Sequence, residues 1–238
     1  MTIARKMEEF ITRSSWIRKM FEEGARLKAE HGADKVFDFS LGNPNLPPPP
    51  GFETALKAVA EDHGPGVHGY MPNTGLAETR QSVAAFLDKE QAVPVSADDI
   101  IMTCGAAGAL NVILKALLDP GDEVLSPAPF FVEYGFYADN HGGVLKTVPT
   151  NGDFTLDIAG IEAAVTEKTK VVLINSPNNP TGQVYSAESL AALGKMLADK
   201  SRAHGRTIYL ISDEPYRKIV FDGIEVPSIF HAYSESIL

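Results

Sequence analysis

From Asp98 onward, short runs rich in Val and Ile alternate with stretches of helical periodicity, and this alternation restricts the fold more than any other feature. The apolar runs are Ile100–Thr103, Glu123–Ser126, Val144–Val148, Lys170–Asn175 and Thr207–Ser212. Between them lie helical patterns over Ala107–Leu118, Leu156–Val165 and Ala187–His204. Strands that are apolar on both faces and joined by helices make a mostly parallel sheet covered on both sides, so the expected class is α/β with the sheet sandwiched by helices.

The text before Asp98 is different. Met7, Phe10, Ile11 and then Ile17, Met20, Phe21 recur at helical spacing, which predicts an amphipathic arm or a helix lying on a core up to roughly Glu30. A short strand is expected over Val36–Leu41, then Gly42-Asn43-Pro44 and four prolines, Pro47 to Pro50. Consecutive prolines fix φ and remove backbone donors, so this run is a stiff extended connector. A boundary placed there gives an arm and small-domain segment over 1–48 and a large domain over 49–238. Helices are expected over Gly51–Asp62 and Leu76–Lys89, on either side of a glycine-rich loop.

Composition removes several function classes. The formal charge of −10 disfavours a nucleic-acid partner, which requires a surplus of Lys and Arg to release counterions. A lone cysteine, Cys104, excludes a disulfide framework and multi-cysteine metal sites. The longest apolar stretch, Gly105 to Leu118, is interrupted by Asn111 and Lys115, so no membrane span is expected and the default is a cytoplasmic protein.

Three motif-like stretches fail on context. Gly64-Pro65-Gly66-Val67-His68-Gly69 has the letters of a dinucleotide loop, but a helix precedes it and Tyr70-Met71-Pro72 follows it. Ile208 to Glu214 resembles the acidic-tipped strand of nucleotide hydrolases, yet the chain has no phosphate loop with Gly-Lys-Ser/Thr. His63 and His68 lack the converging ligands of a metal site. Cys104, at a strand end, reads as a small packed residue rather than a nucleophile.

The chemistry gathers at strand ends, where open α/β sheets bind ligands. After Ile100–Thr103 comes Cys104-Gly105-Ala106-Ala107-Gly108, small residues that let an anion approach the start of a helix, or simply a tight packing turn. After Glu123–Ser126, Pro127-Ala128-Pro129-Phe130-Phe131 stops the strand and offers an aromatic to a flat ring, or to the core. After Lys170–Asn175, Ser176-Pro177-Asn178-Asn179-Pro180-Thr181-Gly182 is a fixed turn carrying side-chain amides. After Thr207–Ser212 comes Asp213-Glu214-Pro215-Tyr216, an acid that is costly at a buried strand end unless it has a partner. Each loop alone is ambiguous. Together they offer what a phosphorylated, protonated pyridine with a phenolic oxygen requires, which is the chemistry of pyridoxal phosphate.

From Leu41-Gly42-Asn43-Pro44 to Ser212-Asp213-Glu214-Pro215-Tyr216, the chain resembles the fold-type I, class I/II aminotransferases, the aspartate aminotransferase superfamily. Asn175-Ser176-Pro177-Asn178-Asn179-Pro180-Thr181-Gly182 is the most diagnostic stretch. The resemblance implies transfer of an amino group between an amino acid and a 2-oxo acid through pyridoxal phosphate. It implies that Asp213 pairs with the ring nitrogen, that Asn179 and Tyr216 bond the phenolic oxygen, and that the N–H groups of Gly105, Ala106 and Ala107 hold the phosphate. It places Phe131 on the ring face and Gly42, with Asn179, near the substrate carboxylate. Tyr70 would reach the phosphate of a neighbouring subunit, which implies a homodimer. Thr79 and Gly108 depart from the family's usual residues without removing a chemical group. The family's Schiff-base lysine is expected beyond Leu238, so no catalytic residue is assigned within this chain. Lys218, just past Tyr216, occupies a position that in the family faces away from the ring. A non-catalytic homologue that binds cofactor or a partner, and a lyase or decarboxylase of the same fold, are the competing readings.

Overall fold

All strands of the structure, a computed structural model that describes residues 3–13, 15–39, 42 and 46–238, run parallel in one sheet. The chain forms two compact units, 1–69 and 70–238.

The first unit holds helices α1 (Arg5–Arg13), α2 (Ser15–His31) and α3 (Pro50–Glu61). Pro50 opens α3 at the position where a missing N–H costs nothing. The apolar stripe of the amphipathic arm is helical as expected, but Met7, Ile11, Met20 and Phe21 remain exposed, because no layer within the first unit covers them. The strand expected at Val36–Leu41 does not form over residues 36–39, and Ser40 and Leu41 lie outside the described residues.

The second unit runs α4 (Ala77–Gln91), α5 (Gly105–Leu117), β1 (Glu123–Ala128), α6 (Tyr134–Asn140), β2 (Val144–Pro149), α7 (Ile158–Ala164), β3 (Thr169–Asn175), α8 (Ala187–His204), β4 (Tyr209–Asp213) and β5 (Ser236–Ile237). The sheet order is β2-β1-β3-β4-β5. Side-chain alternation builds two cores. On one face Leu125, Val172, Ile174 and Leu210 meet Leu190, Leu193 and Leu197 of α8 and Ile161 of α7. On the other, Val124, Val171, Leu173 and Ile211 meet Leu110 and Leu114 of α5 and Tyr134 and Ala138 of α6. The central strand β3 is buried nearly throughout, which is why it reads as a continuous apolar run.

Ile100–Thr103 is the other expected strand that does not form. Ile100 has extended dihedrals, but the segment's cross-link is a single bond from the Met102 N–H to the Thr74 carbonyl, 3.0 Å. A strand is a property of a pair, and nothing among the described residues pairs with this one. Gly75 sits against it with φ +95, and an added Cβ would lie 2.7 Å from Met102 Cβ.

Candidate functional site

The sheet order reverses at β1, which sends one connection to β2 and the next to β3 on its other side. A crevice therefore opens at the carboxyl ends of β1 and β3, with β4 alongside. Asn175 ends β3 and Asp213 ends β4, and the two are register partners. Asn175 Nδ2 donates to the main-chain carbonyl of Asp213 at 2.7 Å, and Asn175 Oδ1 accepts from the Asn179 N–H at 2.6 Å. One side chain thus ties the β3 turn to the tip of β4. That turn is shaped further by cis peptides at Ser176–Pro177 and Asn179–Pro180.

Asp213 is partly buried, and burial pushes its carboxyl above the usual carboxylate range, while a hydrogen bond from Tyr134 acts the other way. Tyr134 Oη donates to Asp213 Oδ2 at 2.7 Å. The Tyr134 ring is only 1% exposed and meets Phe131 edge-on at 5.6 Å between centroids. Burial, then the charge of Asp213, drive the Tyr134 phenol strongly upward, so it stays a neutral donor.

Asp213 borders a cleft of about 530 Å³ that is also lined by Ala106 and Thr103 at the start of α5. Gly105, Ala106 and Ala107 are the exposed first turn of that helix. First-turn N–H groups lack intrahelical partners, and Cys104 in the N-cap position makes no side-chain cap. Gly105 has φ +70, a left-handed conformation that suits glycine, and a Cβ there would meet nothing within 4 Å. Cys104 itself is exposed rather than packed, because it sits on that helix start instead of inside a strand pair.

Asn179 and Tyr216 lie together, with Asn179 Nδ2 3.4 Å from Tyr216 Oη. They border a separate hollow of about 520 Å³ and join Asp213 through the Asn175 bonds and the 213–216 turn. Phe131 is linked to the aspartate through Tyr134. Tyr70 is fully exposed at the start of the second unit. Gly42 belongs to the first unit, and its neighbours Leu41 and Asn43 fall outside the described residues. Lys218 is ion-paired with Glu90 of α4 and lies over the Phe86 ring at 5.4 Å. Arg217 joins the same network, 2.8 Å from Glu214 and 3.3 Å from Glu90, and donates to the carbonyl of Val226 at 2.7 Å. Sequence reasoning did not find Tyr134 or the linking role of Asn175; the polar end of a buried strand was the available signal for Asn175.

Among the described residues no group of His, Cys, Asp and Glu is placed to hold a metal ion, and no helix is long and apolar enough to cross a membrane. His63 and His68 stand as a tilted ring pair, 6.3 Å between centroids.

A family model described as aminotransferase class I and II matches residues 34–236. The chain is 34% identical over 185 residues to the probable aspartate aminotransferase of Methanocaldococcus jannaschii, covering 78% of this chain and 47% of that protein. It is 36% identical over 174 residues to the aspartate/prephenate aminotransferase of Thermus thermophilus, covering 72% of this chain and 42% of that protein. The crystal structure of an amino transferase from Eubacterium rectale matches with a TM-score of 0.92 at 38% identity, over 99% of this chain and 60% of that one. The chain thus spans about half the length of the curated relatives it matches.

Proposed function

The chain belongs to the class I and II aminotransferase family, and from that premise we propose that it forms the cofactor seat of an enzyme that moves an amino group between an amino acid and a 2-oxo acid with pyridoxal phosphate. The observation that carries this reading is the shared cleft: a half-buried carboxylate, Asp213, and an uncapped helix start at Ala106 border one space. A phosphate dianion suits the positive end of α5 and the first-turn N–H groups, of which that of Gly105 is given to the Thr103 carbonyl at 3.0 Å, and a protonated ring nitrogen suits Asp213. The donor set therefore fits the cofactor. Bound there, pyridoxal phosphate supplies an electron-accepting ring for the pair left when the substrate's α-proton departs.

The residues of this chain bind, orient and hold protons. The first turn of α5, Gly105 to Ala107, takes the phosphate. Asp213 keeps a proton on the ring nitrogen through its negative charge. Asn179 and Tyr216, already within 3.4 Å of each other, take the phenolic oxygen. Phe131 covers the ring face, and Asn179 serves the substrate carboxylate. Tyr70, being fully exposed, is free to reach a second subunit in a homodimer. Lys218 is engaged with Glu90 and receives no covalent role.

Titration of the purified protein with pyridoxal phosphate, followed by cofactor absorbance, tests the seat. Saturable binding that Asp213→Ala weakens about tenfold or more is expected, a hydrogen-bonded charge pair being worth at least that. No binding, or binding indifferent to Asp213, overturns the reading. Assays of the full-length protein with amino acid and 2-oxo acid pairs test the reaction: amino transfer supports it, and release of carbon dioxide or an eliminated group without transfer overturns it.

A further inference from the structure

Two consecutive cations follow Tyr216, and the fold treats them differently. The Lys218 side chain is 63% exposed and meets Glu90 at the surface. The Arg217 side chain is only 12% exposed and is buried with that of Glu214, at 6%. Its guanidinium reaches three separate pieces of chain. Nη1 donates to Glu214 Oε2 at 2.8 Å, in the turn after β4, and Nε donates to Glu90 Oε1 at 3.3 Å, in the last turn of α4. Nη2 donates to the Val226 carbonyl at 2.7 Å, and Nη1 also reaches that of Pro227 at 3.4 Å. The Ser212 hydroxyl donates to the other oxygen of Glu214 at 2.9 Å. One side chain thus pins both ends of the segment 214–227 and anchors them to a helix.

A buried ion pair returns little net stability, because lost solvation offsets most of the attraction. A planar fork of fixed donors instead imposes geometry on the groups it joins. Tyr216 lies between the anchored ends. Its carbonyl accepts from the Ile219 N–H at 2.8 Å, and the Arg217 N–H goes to the Glu214 carbonyl at 3.3 Å, so the turn that carries Tyr216 is bonded on both sides. The Tyr216 side chain is itself 36% exposed, so packing sets its direction only in part and the backbone supplies the rest.

We propose that Arg217 is a positioning residue for Tyr216: its guanidinium locks the turn after β4 to α4 and to the 226–227 carbonyls, so that the Tyr216 hydroxyl stands beside Asn179 where the cofactor's phenolic oxygen arrives. This inference rests on the cofactor reading above. Lys218 does not share the role, because its ammonium is directed to Glu90 and the Phe86 ring on α4.

The test compares pyridoxal phosphate with its 3-deoxy analogue, which lacks the phenolic oxygen, by titration of the purified protein followed by cofactor absorbance. Tyr216→Phe is expected to lower affinity for pyridoxal phosphate about tenfold and to leave that for the analogue within about twofold, since only the former offers the hydroxyl a charged oxygen. Arg217→Met keeps an unbranched side chain without the donors and should give the same selective loss. In the double variant the two losses should not multiply, because the second change removes a contact that the first has already disrupted. Losses that multiply, equal losses for both ligands, or no loss in Arg217→Met would mean that the guanidinium serves stability alone and would overturn the proposal.

Should Arg217→Met fail to fold, Arg217→Lys keeps a cation between the two carboxylates but cannot also span to the Val226 and Pro227 carbonyls. It should show the selective loss at a smaller size, and undiminished discrimination between the ligands overturns the proposal. Tyr216→Phe separates the two levels. If it discriminates between the ligands and neither Arg217 variant does, the role of Arg217 alone is wrong. If Tyr216→Phe does not discriminate, the cofactor seat is wrong at the phenolic oxygen and this inference goes with it.

Discussion

Asn175 and Asp213 face each other at the ends of neighbouring parallel strands, and the Asn175 carboxamide spends both its functions there. It gives a proton to the Asp213 carbonyl at 2.7 Å and accepts one from the Asn179 N–H at 2.6 Å. Asn175→Ala leaves a partly buried carbonyl and N–H unpaired, and each such group costs about 1–3 kcal/mol. Urea unfolding of this variant should show a loss in that range. A loss below about 0.5 kcal/mol would mean that water or a backbone shift replaces both bonds.

Asp213 combines functional cost with structural cost. Burial raises its carboxyl pKa, and burial likewise raises Glu214, opposed by Ser212 and Arg217. A carboxylate with a raised folded pKa stabilises the fold below its unfolded value, about 4, and loses that contribution as pH rises through the folded value. Asp213→Asn should therefore raise the melting temperature of the cofactor-free protein near pH 7 and change it little near about pH 3, where the acid is already neutral. The same substitution should weaken cofactor binding. Unchanged melting at neutral pH would refute the proposed strain.

At the opposite end of the sheet the sign reverses. Asp122 loses solvation on burial but is held below the usual range by Arg206 and the Asp119 N–H. Glu123 is held low in the same way by Lys146 at 2.8 Å and Thr166 at 2.7 Å. These contributions are present above the unfolded carboxylate pKa, about 4, and disappear as pH falls through the lowered folded values. Arg206→Ala should cost about 1–3 kcal/mol at pH 7, between the value of an exposed and a buried pair. The difference from the unsubstituted protein should close in acid, as measured by thermal unfolding across pH.

Two glycines separate backbone strain from steric conflict. Gly105→Ala meets open space and should cost only the left-handed conformation, about 1 kcal/mol. Gly75→Ala adds a clash with Met102 at 2.7 Å and should cost clearly more. Equal losses for the two variants in parallel denaturation curves would contradict this ordering.

Lys218→Ala should leave pyridoxal phosphate affinity within about twofold: Lys218 borders the same cleft as Asp213, but its ammonium is engaged with Glu90 on α4. A large loss of affinity would return Lys218 to the cofactor site.

The strands that formed were legible because β1, β3 and β4 are apolar on both faces, a pattern that requires a covered parallel sheet. Their polar ends were legible for the same reason: Asn175 and Asp213 interrupt Val/Ile runs where packing would favour another apolar residue. Val36–Leu41 and Ile100–Thr103 have the same local composition, yet the described part of the former and the whole of the latter form no strand. Propensity describes one segment, whereas a ladder requires a neighbour.

The order of apolar and polar residues was enough to determine a layered parallel sheet and where its strands end in polar side chains, because side-chain alternation and strand ends are local properties. Only the tertiary structure decided that Asp213 answers to Tyr134, since the two are 79 residues apart and meet through the packing of α6 against the sheet. That contact depends on a helix axis and a ring rotamer, and neither is encoded within reach of the residues it joins.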